Sequence, residues 1–363
     1  MKKSLRTVFA ALLALCFMFA FAASAGAVEA ANAWVSSFDN GDFGDIVEYD
    51  YITKTERIIS QDEIFDYASV TNTTYELDGM ESELDRLAEM NASMSVGVDG
   101  GASTLGIIDS KKPFERTPPK TNNVPTTPYS GVVYLILGID LDKNGSTDTL
   151  EASATGFLVG PDVLVTAGHN IINLDTPIVE LRVYPYIHQA SGFNPEINEN
   201  FIYPSYWYYS EHYKICLQQG LVEEANHDWA VLKLQSSVPD AYNFGCSYNI
   251  SDLSKKDICV SGYPYCSDAT CPFEQACPIH HTFYQVTSTG RMNNYDTYRV
   301  WYTNNVKGGS SGSPVYLPST RVCYAIHTKS YGDTDTSTLS KKYNSGTRIS
   351  QSIYNLICTE INK

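Results

Sequence analysis

Three short motifs place a histidine, an aspartate and a serine in that order along the chain. His169 follows a β-like run in VLVTAGHN, Asp228 opens a buried strand in NHDWAVLKL, and Ser311 lies between glycines in GGSSGSPVY. A serine hydroxyl becomes a strong nucleophile when an imidazole takes its proton, and that imidazole needs a carboxylate to fix its tautomer. Each motif alone is common in turns and strand ends. Together the three predict an acyl-transfer site.

The sequence around these motifs predicts the elements that must position them. From residue 131 onwards, short β-type runs alternate with turn residues. Many short strands without intervening helices are typical of an all-β barrel or sandwich. Only the C-terminus shows a clear helical pattern, where Ser350 is a suitable N-cap for a helix with one apolar face. That face consists of Ile353, Leu356, Ile357 and Ile361.

In this context, TAGH, D-x-A-x-x-x-L and G-x-S-G-S-P resemble the motifs of the chymotrypsin-type serine peptidases. The AIHT at 325–328 and the NSGTRI at 344–349 narrow the resemblance to the bacterial glutamyl endopeptidase branch. The similarity extends over roughly residues 105–363. It implies an all-β fold of two antiparallel six-stranded barrels with a C-terminal helix, and an active site in the cleft between the barrels.

The resemblance also implies a role for each matching residue. His169 is the general base and then the general acid, Asp228 orients it, and Ser311 is the nucleophile. The backbone N–H groups of Gly309 and Ser311 match the oxyanion hole, in which each donor contributes roughly 3 kcal/mol to the transition state. The acyl-enzyme mechanism requires no cofactor. His327 matches the residue under the specificity pocket that pairs with a substrate glutamate.

The pocket residues expected to bind substrate are His327, Val306 and Thr328. Val306 stands where the family is expected to carry a Ser or Thr hydroxyl, and a valine cannot donate that hydrogen bond. Lys307 and Lys329 are close in sequence and are sources of positive charge. We expect cleavage after Glu, or after Glu and Asp. The alternatives are a same-fold serine peptidase of different, narrow specificity and a secreted, non-catalytic binding module.

Besides Val306, three positions depart from the family pattern. Ser310 replaces an Asp before the nucleophile, so the ion pair by which a new N-terminus activates the pancreatic enzymes has no partner here. Ala154 and Asn170 stand where the family often has a pair of cysteines. Loss of both cysteines together leaves no stray thiol.

A separate constellation at 140–151, DLDKNGSTDTLE, has the spacing of a calcium loop. Alternate side chains of such a loop point at one centre, and the final Glu closes the shell with two oxygens. The predicted ligands of a structural calcium are Asp140, Asp142, Asn144, Asp148 and Glu151. The alternative is a long hairpin loop with a tight Asn-Gly turn.

The N-terminal third predicts export. Residues 1–27 resemble a signal peptide, with basic residues, an apolar run at 8–23 and small residues before the predicted cleavage. Residues 28–110 are acidic and are interpreted as a prosegment, with a solvated stalk as the alternative. A helix is predicted around 80–90. The peptidase domain then covers 111–363, with processing expected within 100–116, and the product is secreted and extracellular.

Composition limits the partners. Asp and Glu number 41 against 25 Lys and Arg, which gives a net charge of −16. Nucleic-acid binding needs a basic surface, so this class is excluded. After the signal, no apolar run reaches the roughly 18 residues of a membrane span. We expect a monomer that acts on peptide or protein substrates.

Cysteine content and one aromatic-rich stretch lead to two further predictions. Of nine cysteines, Cys16 lies in the predicted signal, and the remaining eight favour up to four disulfides in an oxidising compartment. A zinc site near 266–281 is the weaker alternative, because its spacings miss those of structural zinc sites. The aromatic-rich stretch 193–213 is interpreted as packing against the barrel rather than as a binding platform.

Overall fold

The predicted peptidase motifs lie on two β-sheets in the computed structural model. The structure describes residues 45–60, 115–116, 127–174, 177–187, 199–221, 226–253, 255–264, 285–330 and 343–363. The predicted signal peptide, the helix around 80–90 and the expected processing region up to residue 114 lie outside these ranges. Residues 45–363 belong to one compact unit.

Sixteen strands and two α-helices are present in the described part of the chain. In chain order the strands are β1 (Ile46–Asp50), β2 (Thr55–Ile59), β3 (Glu115–Arg116), β4 (Val132–Ile139), β5 (Thr149–Gly160), β6 (Val163–Thr166), β7 (Ile178–Tyr184), β8 (Pro204–Ser210), β9 (Ala230–Leu234), β10 (Gly245–Cys246), β11 (Asp257–Gly262), β12 (Val286–Tyr295), β13 (Arg299–Tyr302), β14 (Pro314–Tyr316), β15 (Val322–Lys329) and β16 (Asn344–Arg348). The helices are α1 (Glu211–Gln219) and α2 (Gln351–Ile361).

The first sheet has the order β2-β1-β8-β9-β6-β5-β4-β7. Six of its strands, β4 to β9, form the predicted first barrel. An isolated antiparallel β-bridge between Val183 and Ile202 connects β7 to the segment just before β8. Strands β4 and β6 are β-branched and Leu-rich runs whose side chains are almost completely buried, which is typical of barrel strands covered on both faces. The core of the barrel includes Leu135, Leu164 and Leu232.

The second sheet closes on itself. Its order is β10-β15-β14-β11-β12-β13-β16, and β15 also pairs with β16. The six strands β11 to β16 therefore form a ring, to which the two-residue strands β3 and β10 are added, β10 in parallel with β15. The predicted all-β fold of two barrel-like sheets with a C-terminal helix is confirmed.

The additional strands β1 and β2 come from the predicted prosegment. They form an antiparallel hairpin, and β1 pairs along its whole length with β8 at the edge of the first barrel. Part of the region that the sequence assigns to the prosegment thus belongs to the sheet of the first barrel.

The C-terminal helix begins where the sequence predicts. The Ser350 hydroxyl accepts a hydrogen bond from the Ile353 N–H at 3.2 Å, and Ile353, Leu356 and Ile357 are buried. Ile361, the fourth residue of the predicted apolar face, lies in the last turn of the helix and is 37% exposed.

Helix α1 was not predicted, because its sequence is polar and sits in the aromatic-rich stretch. Ser210 caps its start by accepting from the Tyr213 N–H at 3.3 Å, and Gly220 ends it in a left-handed conformation. Immediately before it, Trp207, Tyr208 and Tyr209 on β8 are 3% exposed or less. The packing interpretation of the aromatic stretch is confirmed for this strand.

The disulfide prediction is not supported for the described cysteines. No disulfide joins the five described cysteines, namely Cys216, Cys246, Cys259, Cys323 and Cys358. Cys216 and Cys323 are fully buried, and a buried cysteine that is not in a disulfide packs as a small apolar residue. The remaining Cys266, Cys271 and Cys277, and with them the zinc alternative, lie outside the described residues. Among the described helices, none has the length and apolar character needed to cross a membrane.

Candidate active site

His169 and Asp228 form a close pair in the first barrel. His169 lies in a short 3-10 helix directly after β6, and Asp228 lies two residues before β9, which pairs with β6. The His169 Nδ1 is 2.7 Å from one Asp228 oxygen, and the His169 backbone N–H donates to the other at 2.9 Å. The strand pairing therefore brings together two residues that are 59 positions apart.

The surroundings of this pair differ for its two members. The Asp228 side chain is 2% exposed, whereas that of His169 is 34% exposed. Burial alone raises the pKa of the Asp228 carboxyl, but the charge and hydrogen bonds of His169 and the positive charge of Lys329 hold this pKa below its usual value. Asp228 is therefore a buried, ionised carboxylate that orients an accessible imidazole.

Ser311 lies in a tight loop between β13 and β14. Gly309 and Gly312 have φ angles of 88° and 87°, a region that side chains rarely adopt. At Gly312 a Cβ would also lie 2.0 Å from the Thr155 carbonyl oxygen, so no larger residue fits. In the described part of the chain, the N–H groups of Gly309 and Ser311 make no hydrogen bond. Both are thus available to an oxyanion.

Two residues of the first barrel hold this loop. The Ser311 carbonyl accepts from the Thr155 N–H at 2.9 Å and from the Asn170 side-chain amide at 3.1 Å. The Thr155 hydroxyl donates to the Gly309 carbonyl at 2.8 Å. Because Asn170 directly follows His169, the histidine and the nucleophile loop share one support. The sequence analysis did not predict that Thr155 supports this loop, and it noted Asn170 only as a position where relatives have a cysteine. The motifs that contain these two residues, TG and GHN, are the signals that could have pointed to them.

A direct bond between the nucleophile and the base is not formed in this structure. Among the described residues there is no hydrogen bond between the Ser311 hydroxyl and the His169 ring. Such bonds are often long in enzymes without substrate and shorten when the substrate binds. The structure brings the two loops together through Asn170, and the triad roles stay a prediction.

His327 lies on β15 behind the nucleophile loop. Its N–H donates to the Ser313 carbonyl at 2.9 Å, and its carbonyl accepts from the Gly312 N–H at 2.8 Å. The ring Nδ1 is 2.6 Å from the Tyr302 hydroxyl, and a backbone hydrogen bond with Ser345 also reaches the ring. Burial and the charge of His169 lower the pKa of His327 to about 3, so the ring is neutral.

The other predicted pocket residues differ in environment. Val306 is 8% exposed and belongs to the apolar core of the second barrel. Thr328 is 4% exposed, and its hydroxyl has no hydrogen-bond partner among the described residues. A register shift in the β15–β16 pairing makes Thr328 the extra residue of a bulge. Lys329 follows it and is half-buried, whereas Lys307 is exposed.

A pair of histidines that the sequence analysis did not predict lies next to Asp228. His227 immediately precedes Asp228, and its ring centroid is 4.1 Å from that of His212 in the first turn of α1. The Tyr298 ring lies 5.3 Å from His227, at the β12–β13 turn of the second barrel. Burial, and then the charge of His212, lower the pKa of His227 to about 3. The His227 ring therefore packs as a neutral group beside the Asp228 carboxylate.

The predicted calcium loop brings three of its five residues together. Carboxylate oxygens of Asp140, Asp142 and Asp148 lie within 4.8 Å of one another. Asp140 accepts from the Asn144 and Gly145 N–H groups at 3.1 and 2.7 Å. The side chain of Glu151 lies outside the described residues. Calcium binding stays a prediction.

A family model described as "Trypsin-like peptidase domain" matches residues 154–325, a span that contains His169, Asp228 and Ser311. Residues 154–325 of the chain therefore resemble a trypsin-like peptidase domain. The chain also resembles a glutamyl endopeptidase of Bacillus licheniformis, to which it is 24% identical over 254 residues, or 65% of this chain. The match spans 64% of the length of that relative.

Two further proteins are similar to this peptidase. A Bacillus subtilis protein named "Extracellular metalloprotease" is 26% identical over 361 residues, which cover 96% of this chain and 95% of the relative. Among solved structures, a Glu endopeptidase in complex with MPD is 18% identical with a TM-score of 0.47, and the match covers 69% of this chain and 98% of that one.

Proposed function

We propose that the protein is an exported serine endopeptidase that cleaves peptide bonds through an acyl-enzyme on Ser311. The observation that carries this proposal is the His169–Asp228 pair, in which a buried carboxylate bonds the Nδ1 of a half-exposed imidazole. A fixed tautomer of this kind leaves Nε2 to take the serine proton and later to protonate the leaving amine.

The rest of the mechanism uses the backbone of the nucleophile loop. The Ser311 oxygen attacks the scissile carbonyl carbon, and the developing oxyanion accepts from the N–H groups of Gly309 and Ser311. Collapse of this intermediate releases the amine product. Water, activated by His169, then hydrolyses the ester and regenerates the serine. No step needs a cofactor.

We further propose that the enzyme prefers Glu, or Glu and Asp, before the cut. Support comes from the resemblance to a glutamyl endopeptidase, from the position of His327 behind the nucleophile loop, and from the positive charge of Lys329 near Asp228. The partnerless hydroxyl of Thr328 is a further group that can contact substrate.

A second candidate is a same-fold peptidase with a different, narrow preference. It is favoured by the partners of His327, because Tyr302 and Ser345 already hold the ring, and by the packing of Val306 in the barrel core. A substrate carboxylate has to displace one of these ring contacts.

Export, maturation and calcium complete the proposal. Residues 1–27 are proposed as a signal peptide and 28–110 as a prosegment, and one relative is itself named extracellular. Asp140, Asp142 and Asp148 are proposed to hold a structural calcium. N-terminal sequencing of the secreted protein tests the maturation, and a sole N-terminus near residue 28, with none within 100–116, would contradict a cleaved prosegment.

The decisive experiment is cleavage of a diverse peptide library by the processed protein beside Ser311→Ala, with the residue before each cut identified by mass spectrometry. Cuts after Glu that vanish in Ser311→Ala support both parts of the proposal. Ser311-dependent cuts after other residues support the peptidase and reject the glutamate preference. No cuts, together with no labelling of Ser311 by a fluorophosphonate, would identify a non-catalytic binding module.

A further inference from the structure

The hairpin of β1 and β2, residues 45–60, packs against the first barrel through the buried residues Ile46, Val47 and Ile59, whereas the rest of β2 is exposed. Ile46 is fully buried and Val47 is 3% exposed, and Val47 belongs to the same apolar cluster as Trp207 and Leu232. Yet the sequence assigns this hairpin to the segment that maturation removes. The two observations conflict unless the hairpin stays after cleavage.

The backbone contacts of the hairpin are continuous. All five residues of β1 pair with β8, from Ile46 opposite Ser210 to Asp50 opposite Tyr206. The pairing extends at both ends, where the Glu211 N–H donates to the Asp45 carbonyl at 3.1 Å and the Tyr51 N–H donates to the Ser205 carbonyl at 2.9 Å. Without the hairpin, β8 is an exposed edge strand rich in aromatic residues, a surface prone to aggregation.

Side chains add specific contacts to this pairing. Tyr49 stacks on Trp207 with ring centroids 4.6 Å apart. One Glu56 oxygen accepts from the Tyr209 hydroxyl at 2.7 Å, and the other pairs with the Lys214 ammonium of α1 at 2.5 Å. The hairpin therefore binds both β8 and the helix that follows it.

The position of the hairpin is compatible with catalysis. None of the hydrogen bonds, ion pairs and ring contacts described for residues 45–60 involves His169, Asp228 or Ser311. A prosegment that blocks the cleft has to leave before substrate enters. This hairpin does not have to leave, and it borders β8, which pairs with the strand that follows Asp228.

We propose that residues 45–60 are a permanent part of the active peptidase and stay bound to β8 after the chain is cut downstream of them, so that the mature enzyme consists of two associated chains. The cut is ordinary peptide hydrolysis, in which water adds across one amide bond and leaves a carboxylate and an amine. The cut downstream of the hairpin rests on the maturation proposed above. The docking of the hairpin on β8 rests on the contacts described here.

The test uses the full-length secreted protein after maturation. The active fraction is labelled with a fluorophosphonate, purified by gel filtration under native conditions and then denatured for mass spectrometry. We expect a segment that contains residues 45–60 in about equimolar amount with the labelled chain. A labelled, active enzyme that lacks residues 45–60 overturns the proposal. Absence of labelling would instead refute the peptidase function, while the mass spectrum still decides whether the hairpin is retained.

Matched variants test the docking surface. Val47→Asp places a charge in the apolar cluster, whereas Ile58→Asp alters its register partner on β2, which is 57% exposed. We expect at least a tenfold loss of retained hairpin for Val47→Asp and wild-type retention for Ile58→Asp. Equal retention in the two variants overturns the proposal.

If Val47→Asp does not fold, a milder substitution in the hairpin tests the same docking surface. Glu56→Gln removes the Lys214 ion pair, and Arg57→Gln, which removes the ion pair with Glu48 inside the hairpin, is its control. More hairpin is expected to be lost from Glu56→Gln than from Arg57→Gln during washing in molar salt. Equal loss from the two variants contradicts the assigned docking contacts.

Discussion

The two histidines on either side of the nucleophile loop have opposite environments. His169 is partly exposed and bonds a buried carboxylate, whereas His327 is 1% exposed and bonds the neutral hydroxyl of Tyr302. A carboxylate partner supports the transient positive charge of a general base, and a hydroxyl in a buried site does not. The two environments thus differ as the proposed roles require, with His169 as the general base and His327 as a neutral group of the substrate pocket.

The largest effect is expected when the His169–Asp228 pair is broken. Asp228→Asn removes the carboxylate and favours the wrong tautomer of His169, so kcat should fall by about four orders of magnitude. Steady-state kinetics on the best library peptide measure this loss. Tyr302→Phe, which removes the partner of the other histidine, is the matched control and should retain most of kcat. Similar losses in the two variants would contradict the contrast between the histidines.

The next effect concerns substrate preference. His327→Ala removes one charge-assisted hydrogen bond to a substrate glutamate, which is worth about 1.5 to 3 kcal/mol, or about tenfold to 150-fold in kcat/KM. Paired peptides with Glu or Gln before the cut measure the ratio. The loss should be confined to the Glu peptide. An equal loss on both peptides would show that His327 only supports the nucleophile loop.

A smaller catalytic effect is expected at the shared support. Asn170→Asp keeps the size of the side chain but removes its donor to the Ser311 carbonyl. We expect kcat to fall about tenfold, as for the loss of about 1.4 kcal/mol of positioning, with KM within a factor of two. Asn249→Ala at an exposed site serves as the control. A change confined to KM would argue against a positioning role for Asn170.

Stability should depend on pH through the neutral buried histidines. The pKa values of His227 and His327 are about 3 in the folded protein, against about 6.5 in the unfolded chain. Between these values the unfolded chain binds more protons. The free energy of unfolding should therefore decrease as the pH falls from about 6.5 to about 3, by up to about 1.4 kcal/mol per pH unit for each histidine.

Urea unfolding between pH 7 and pH 4, in the Ser311→Ala background to prevent self-digestion, measures this slope. His227→Gln should flatten the slope, because one titrating group is lost. An unchanged slope in His227→Gln would contradict the neutral packing of that ring.

The smallest expected effect is stabilisation of the protein by calcium. It compares the Asp228 carboxylate, which has a histidine partner, with the carboxylates of the 140–148 loop, which are proposed to share a cation. Calcium at one hundred times its dissociation constant should stabilise the protein by about 2.7 kcal/mol, which corresponds to a thermal shift of roughly 5–10 °C. The exposed-site variant Asp142→Asn should reduce this shift. No shift with calcium, or the same shift with magnesium, would leave the loop as a plain hairpin connection.

The sequence predicted those parts of the molecule that depend on local pattern. Short apolar runs identified the barrel strands, Ser350 identified the start of α2, and the His and Asp motifs identified two residues that strand pairing brings together. Features that depend on tertiary contacts were missed. The sequence of α1 is polar and its buried face, His212, Tyr213 and Cys216, includes a histidine, so it gives only a weak helical pattern. The support from Thr155 exists only after the two barrels meet. The β1–β2 hairpin was not predicted, because the acidic composition of residues 28–110 does not indicate that a segment pairs with the edge strand β8.

Thr155 has a consequence for the assembly of the enzyme. It lies on β5 of the first barrel, yet it contacts the nucleophile loop of the second through its N–H and its hydroxyl, and that hydroxyl also accepts from the Tyr263 N–H at 3.0 Å. The loop geometry is therefore imposed from outside its own barrel. A folding intermediate in which only one barrel has formed lacks these contacts, so its Ser311 loop is without the support that Thr155 provides in the complete fold.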